Sequence, residues 1–447
     1  MGQYQGYEKY KDSGVEWLGE IPESWKVQRV KFIGDIKYGL GEPPEQLEDG
    51  LPIIRATDIY RGIIDGSKVQ RVNPDKVPWS RDPELKTGDI LVVRSGAYTG
   101  DSAIIPDEWA GSIAGYDMVL TPTKAHPKYV AWNLLGRHVL EGQLYLAKSR
   151  AAQPHLNAEE LGNTILAIPP LEEQNTIAQF LDYKTSQIDA LIAKKEALLE
   201  KLDEKRTALI SHAVTKGLDP TVPMKDSGIE WLGDIPAHWE VKKLRYVGSC
   251  QNGVSKGGDY FGSGYPFVNY TDVYANPELP KEVNGLAQST EEDRINYSVK
   301  AGDIFFTRTS ETIEEIGITS TCLQSIKNAI FSGFLIRVRP FDNSLFPAFS
   351  KYYFRSQRHR LFFVKEMNLV TRASLSQDLL KRLPVLLPPF EEQKAIAQNL
   401  ARRTGEIDQQ KAKIQQAIDL LKEYRTALIT NAVTGKIDIR QVPIPQP

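Results

Sequence analysis

The chain has 447 residues, 41% of them apolar and 25% charged, with a formal net charge of −2. Such a composition excludes wholesale disorder and leaves room for two to four soluble domains with large cores. No apolar run is long enough to span a membrane, the N-terminus is polar, and Cys250 and Cys322 are too few for a disulfide framework and lack metal-ligand neighbours; a cytoplasmic location is expected. A net charge near zero neither requires nor forbids nucleic acid, because acidic helices can cancel a basic patch in the sum.

In chain order, Lys11-Asp12-Ser13-Gly14-Val15-Glu16-Trp17-Leu18-Gly19-Glu20-Ile21-Pro22 opens the chain, followed by Trp25-x-Val27. Its Gly, Pro and Asp punctuation predicts a turn-rich entry, with the tryptophans anchored on a core. Strands are predicted at Pro52-Ile53-Ile54, at Thr57-Asp58-Ile59-Tyr60 and at Lys86 to Arg94, where a Gly88-Asp89 turn feeds an apolar run. Another is expected near Asp117 to Thr121, then an aromatic-rich helix near Lys128 to Leu140.

From Leu171 the pattern changes. Pro169-Pro170-Leu171-Glu172-Glu173-Gln174 reads as a helix start, with prolines where no N–H is needed and carboxylates facing the positive end of the dipole. Ile177, Leu181, Ile188, Leu191, Leu198, Leu202 and Leu209 fall on one track of alternating spacings of four and three, interrupted by Lys184, Lys195 and Lys205. That period keeps one stripe facing a partner helix. No glycine or proline interrupts it until Gly217. About 40 residues make a rod of roughly 60 Å, which needs another long helix to bury its seam.

The partner is in the same chain. The entry recurs as Lys225-Asp226-Ser227-Gly228-Ile229-Glu230-Trp231-Leu232-Gly233-Asp234-Ile235-Pro236, with Trp239-x-Val241 after it, a shift of 214 residues (11 to 225). Strands follow at Pro266-Phe267-Val268, Thr271-Asp272-Val273-Tyr274, Lys300 to Arg308 and Phe334 to Arg339, then a helix near Pro347 to Phe362. Pro388-Pro389-Phe390-Glu391-Glu392-Gln393 repeats the helix opening at a shift of 219 residues (174 to 393), and Ile396, Leu400, Ile407, Ile414, Leu421 and Leu428 repeat the seam. One unit is thus written twice. The fold class is α+β: two globular domains, 1–168 and 217–386, joined by two long helices, 169–216 and 387–436, packed against each other, with a tail at 437–447. Between the shared frames the globules diverge, as at Leu40 to Leu51 against Ser255 to Tyr265. Duplicated supports carrying unlike faces suit a protein that reads an asymmetric, two-part target.

Catalytic motifs are not found. Pro388-Pro389-Phe390 lacks the preceding Asn or Asp that an amino-methyltransferase needs, since Leu387 stands there, and Ile168 in the first copy. No glycine-rich loop follows a first strand. Glu84-Leu85-Lys86 mimics part of a nuclease motif, but Ser298-Val299-Lys300 replaces it in the second copy. The six histidines lack metal spacing, so no metal is expected.

The doubled Lys-Asp-Ser-Gly-x-Glu-Trp-Leu-Gly-x-Ile-Pro-x-x-Trp entry, the doubled Pro-Pro-x-Glu-Glu-Gln helix opening and the doubled Arg-Thr-Ala-Leu-Ile closing (Arg206 to Ile210 and Arg425 to Ile429) resemble the specificity (S) subunit of type I restriction-modification systems, over nearly the whole chain. The resemblance implies a non-catalytic subunit whose two target-recognition domains each bind one half of a bipartite, asymmetric site on double-stranded DNA. It implies that the long helices pair as an antiparallel coiled coil, a spacer that docks two methyltransferase (M) subunits, with restriction (R) subunits completing the enzyme. S-adenosylmethionine would then sit in the M subunit, ATP and Mg in the R subunit, and no cofactor in this chain. Rival readings are a self-contained DNA methyltransferase and a coiled-coil adaptor that binds only protein.

Residue type selects the candidate DNA contacts, since Arg and Lys suit phosphate and guanine, Asn and Gln adenine. In the first unit these are Arg94, Lys148, Arg150, Gln153 and His155; in the second, Arg308, Arg372 and Ser374. Arg355, Arg358 and Arg360, with His359, form the densest basic cluster and a candidate phosphate holder. Arg94 and Arg308 occupy matching frames, which favours a positioning role for both.

Overall fold

The computed structural model describes residues 4–144, 155–310, 315–366 and 373–444. It divides into two compact units, Met1–Glu196 with Gln415–Pro447, and Ala197–Ile414, so that each unit holds one head and half of each long helix.

The first unit is built on a four-stranded antiparallel sheet in the order Ser102–Ile104, Ile90–Val92, Met118–Pro122, Gly34–Tyr38. Beside it Gln46–Ile54 pairs parallel with Ile113–Ala114 and antiparallel with Gln70–Val72. The second unit repeats this in the order Thr319–Thr321, Ile304–Thr307, Leu335–Pro340, Gly248–Asn252, with Phe261–Val268 between Ile330–Phe331 and Leu286–Ala287. The predicted Gly-Asp turns are present in both. Gly88 and Gly302 take φ of 89° and 91°, and Asp89 and Asp303 accept the backbone N–H groups of Lys86 and Lys300 at 2.8 and 2.7 Å.

Two predicted elements differ. Thr271 to Tyr274 is not a strand but part of the helix Tyr270–Ala275, and Thr57-Asp58 lies in the short turn Ala56–Asp58 ahead of the strand Ile59–Tyr60. In each case the aspartate three residues into the turn accepts the backbone N–H of the capping residue, Asn269 at 2.8 Å and Arg55 at 2.9 Å. That side-chain bond wins over the β-branched pattern. The aromatic-rich helix also breaks in two, into Pro127–Leu134 and Arg137–Val139 in one unit and Pro347–Tyr353 and Gln357–Glu366 in the other.

The long helices run Leu171–Lys216 and Phe390–Val433. Their openings are tied down identically. Gln174 donates to the Pro169 carbonyl and accepts the His126 N–H, both at 2.8 Å; Gln393 donates to Pro388 at 2.9 Å and accepts the Phe346 N–H at 2.8 Å. Glu173 and Glu392 each accept the indole N–H of a fully buried tryptophan, Trp25 and Trp239, at 3.1 Å. Trp25 and Trp239 are thus the core anchors, whereas Trp17 is 44% exposed. Each helix ends in a left-handed glycine, Gly217 (φ 76°) and Gly435 (φ 70°). A Cβ there would lie 3.4 Å from the Trp239 ring in one unit and 2.3 Å from Pro22 in the other.

Within each unit the two rods run antiparallel. In the first, Asp189 pairs with Arg425 at 2.9 Å and Glu196 with Lys422 at 3.6 Å; in the second, Asp203 pairs with Lys411 at 2.5 Å and Arg206 with Asp408 at 3.6 Å. Partner numbers fall as the others rise, which is antiparallel pairing. Ile177, Leu181, Ile188, Leu202, Ile396, Leu400, Ile407 and Leu428 are buried, and Leu209, Ile414 and Leu421 half-buried. Leu191 and Leu198 are corrections. They are 44% and 45% exposed, and the seam takes Thr185, Ile192, Leu199 and Arg206 instead. Thr185 fits because its hydroxyl donates back to the Leu181 carbonyl at 2.6 Å, as Thr404 does to Leu400 at 2.7 Å, and so presents a methyl face.

Candidate nucleic-acid interface

Arg94 follows the strand Ile90–Val92, and Arg308 follows Ile304–Thr307. Each backbone carbonyl accepts an N–H from the segment ahead of the next short helix, Leu156 and Leu375, both at 2.7 Å. Ser95 bridges His155 and Thr309 pairs with Ser374, so the strand-end arginines and the predicted loop residues His155 and Ser374 lie side by side in both units. Lys148, Arg150, Gln153 and Arg372 lie outside the described residues.

The side chains then diverge. The Arg94 guanidinium sits over the Tyr38 ring at 4.6 Å and the Tyr116 ring at 4.3 Å, and its Nη2 donates to Nε2 of His155 at 3.2 Å. Both tyrosines are exposed, while Nε of Arg94 is buried without a partner among the described residues. Behind it Asp117 accepts the Arg94 backbone N–H at 3.2 Å. Burial pushes the Asp117 carboxyl up to about 6, against the pull of the N–H groups of Arg94 and Ala56, and nearby Asp58 adds to the rise. In the second unit the sheet register puts Asn252 where Tyr38 stands, Phe334 where Tyr116 stands and Leu335 in place of Asp117. Arg308 donates to the Gly333 carbonyl at 3.3 Å and lines an open groove of ≈ 930 Å³ with Asn269, Thr271, Asn284 and Ser332. No carboxylate lines that groove among the described residues; Lys256 at its rim is paired with Asp293 at 3.1 Å. A concave, donor-rich wall free of carboxylates is electrostatically suited to a polyanion.

The basic cluster on Gln357–Glu366 and just before it is bonded within its own unit. Arg355 donates to the carbonyls of Thr319 and Tyr274, both at 2.8 Å; Arg358 donates to Trp231 at 3.0 Å and Arg360 to Ile316 at 2.9 Å. His359 is fully enclosed, which pushes its pKa down to about 3, and it bonds Ser356 at 2.9 Å. Arg358 also lines a groove with Glu200, Asp203 and Glu204. Arg355, Arg358 and Arg360 each spend donors on carbonyls of their own unit, and Arg358 shares its groove with carboxylates, which weighs against a phosphate-holding role for this cluster.

Sequence reasoning missed Tyr38, Tyr116 and Asp117. The signal was available in the repeat itself: these positions align with Asn252, Phe334 and Leu335, divergent residues in a shared frame next to a shared arginine.

Residues 22–201 and 236–419 each match the family described as Type I restriction modification DNA specificity domain. The chain is 28% identical to the putative type I restriction enzyme MjaX specificity subunit of Methanocaldococcus jannaschii, over 98% of this chain and 99% of that one. It is 24% identical to the EcoKI specificity subunit of Escherichia coli K12, over 94% and 90%. In fold it is similar to a chain from a structure on complex assembly and conformational transition of the type I R-M system (TM-score 0.71, 16% identity, 92% of this chain and 98% of that chain). It is also similar to the HsdS subunit from Thermoanaerobacter tengcongensis (TM-score 0.54, 17% identity, 93% and 98%). With most of its length matched in two copies, arranged on the repeated frame described above, this chain belongs to the type I restriction-modification DNA specificity family.

Proposed function

We propose that the chain is the sequence-specificity subunit of a type I restriction-modification enzyme, each unit reading one half of a bipartite, asymmetric site on duplex DNA. The observation that carries this reading is the pair of strand-end arginines, whose carbonyls accept matching backbone N–H groups in both units while different side chains surround them. A repeated frame fixes where DNA is met, and divergent neighbours let the two halves differ. Arg94 and His155 serve the first half-site, Arg308 and Ser374 the second. Exposed apolar side chains on the rods, Leu191 and Leu198 among them, supply surface for methyltransferase subunits, which bring S-adenosylmethionine. Restriction subunits bring ATP and magnesium. No helix among the described residues is long and apolar enough to cross a membrane.

The test uses the full chain with its methyltransferase partner. Sequencing of methylated bases in cells carrying both defines the site, and binding to that duplex is then followed through a salt titration. Arg308→Ala is expected to lower affinity and to reduce the salt slope by about 1. Unchanged affinity and slope would remove Arg308 from the interface. Methyl transfer by the purified chain alone, or a complex that does not bind duplex DNA, would overturn the function.

A further inference from the structure

The two strand-end arginines occupy one frame but not one environment. A phosphate also takes the arginine fork in two-pronged fashion, but its oxygens accept from many directions, whereas a base edge accepts only in its own plane. Arg94 is not free to swing. Tyr38 and Tyr116 cover its guanidinium at 4.6 and 4.3 Å, His155 engages one Nη2 proton at 3.2 Å, and Nε is buried. What remains to meet a ligand is the far end of the fork, Nη1 and the second Nη2 proton, in a plane fixed before binding. Two coplanar donors at fixed spacing match the O6 and N7 acceptors on the major-groove edge of guanine. Arg308 has Asn252 in place of one ring and opens onto a wide groove, so it lacks this pre-set plane.

Resting on the DNA-reading function above, we infer that the Tyr38–Arg94–Tyr116 stack is a guanine reader, and that the first unit's half-site contains a guanine contacted by Arg94. The stack orders the side chain in advance, so little rotamer freedom is lost on binding. Arg308 contributes charge and position instead.

The experiment takes the full chain with its methyltransferase partner and a duplex carrying the site defined by methylation sequencing. Each guanine of the first half-site is replaced in turn by 7-deazaguanine, which removes the N7 acceptor and leaves the phosphates untouched. One replacement is expected to weaken wild-type binding by about tenfold to a hundredfold. Arg94→Lys keeps the charge and loses the fork; it should bind the unmodified site about as weakly as the wild type binds the deaza site, and be indifferent to the replacement. Tyr116→Leu should lose part of the same discrimination, and Arg308→Lys none of it. If Arg94→Lys binds like the wild type, or remains sensitive to every replacement, or if no first-half guanine responds while specific binding persists, the inference is overturned although the function stands. If the wild-type complex does not bind the duplex at all, it is the function that fails.

Discussion

Trp25 and Trp239 donate to Glu173 and Glu392 at the same 3.1 Å, and Gln174 and Gln393 clasp the same carbonyl and amide positions in both units. Against that constancy, Tyr38, Tyr116 and Asp117 are replaced by Asn252, Phe334 and Leu335 at the equivalent sheet positions of the second unit. The residues that repeat are the ones that close the core onto the helix openings. Those that do not repeat surround the arginine at the strand end. The two copies are alike where each unit closes its core and unlike around the strand-end arginine.

If the anchors are truly equivalent, removing either should injure its own unit alike. Trp25→Ala and Trp239→Ala each delete a fully buried indole and leave a carboxylate short of a donor. Each is expected to cost about 3–5 kcal/mol, read by denaturant unfolding of the full chain. One substitution costing under about 1 kcal/mol would break the equivalence.

Asp117 sharpens the contrast, because the second unit does without a carboxylate there. A carboxyl whose pKa is about 6 when folded, against near 4 unfolded, binds more protons in the folded state between those values. Stability therefore falls as pH rises through that window and stays lower above it. Asp117→Asn carries no such proton. Relative to the wild type it should gain on the order of 2 kcal/mol between pH 4 and pH 7.5, measured by unfolding at both values. Parallel pH profiles would mean that Asp117 is solvated as an ordinary carboxylate. The second unit, with Leu335, supplies no matching slope at this position.

Much of this was legible in the sequence. The repeat, the Gly-Asp turns, the core tryptophans and the existence of both rods follow from spacing and turn chemistry that act locally. The seam was legible at eleven of its thirteen positions. Leu191 and Leu198 drew the assignment because they are leucines, while Thr185 and Arg206, polar by type, lie on the actual stripe. The shift of 219 contained the correction: Leu191 and Leu198 align with Gln410 and Ala417, whereas Thr185, Ile192, Leu199 and Arg206 align with Thr404, Lys411, Ile418 and Arg425. The surroundings of the basic cluster were hidden for a different reason. A run of arginines looks solvated in one dimension, and only the fold brings the carbonyls of Thr319, Tyr274 and Ile316 to it. The Tyr38–Arg94–Tyr116 stack joins three strand ends far apart in the chain, which no window of sequence displays.

The finest comparison lies on the rods. Arg425 and Asp189 meet through three hydrogen bonds, one at 2.9 Å and two at 3.2 Å, and the arginine side chain is 14% exposed; Arg206 and Asp408 are the same residues one repeat away, at 3.6 Å with the arginine 35% exposed. Coulomb attraction between such charges depends more on solvent screening than on identity. Arg425 also lies 5.7 Å from the Trp132 ring, which helps to exclude water on that side. Double-mutant cycles with Asp189→Asn and Arg425→Gln should give a coupling of about 1 kcal/mol, and those with Asp408→Asn and Arg206→Gln under about 0.5 kcal/mol. Raising the salt to about 1 M should shrink the weaker coupling proportionally more, because the Debye length then falls to about 3 Å. Equal couplings, or a larger one for Arg206, would show that the repeated sequence rather than local burial sets the strength of the pair, and the asymmetry seen at the strand ends would not extend to the rods.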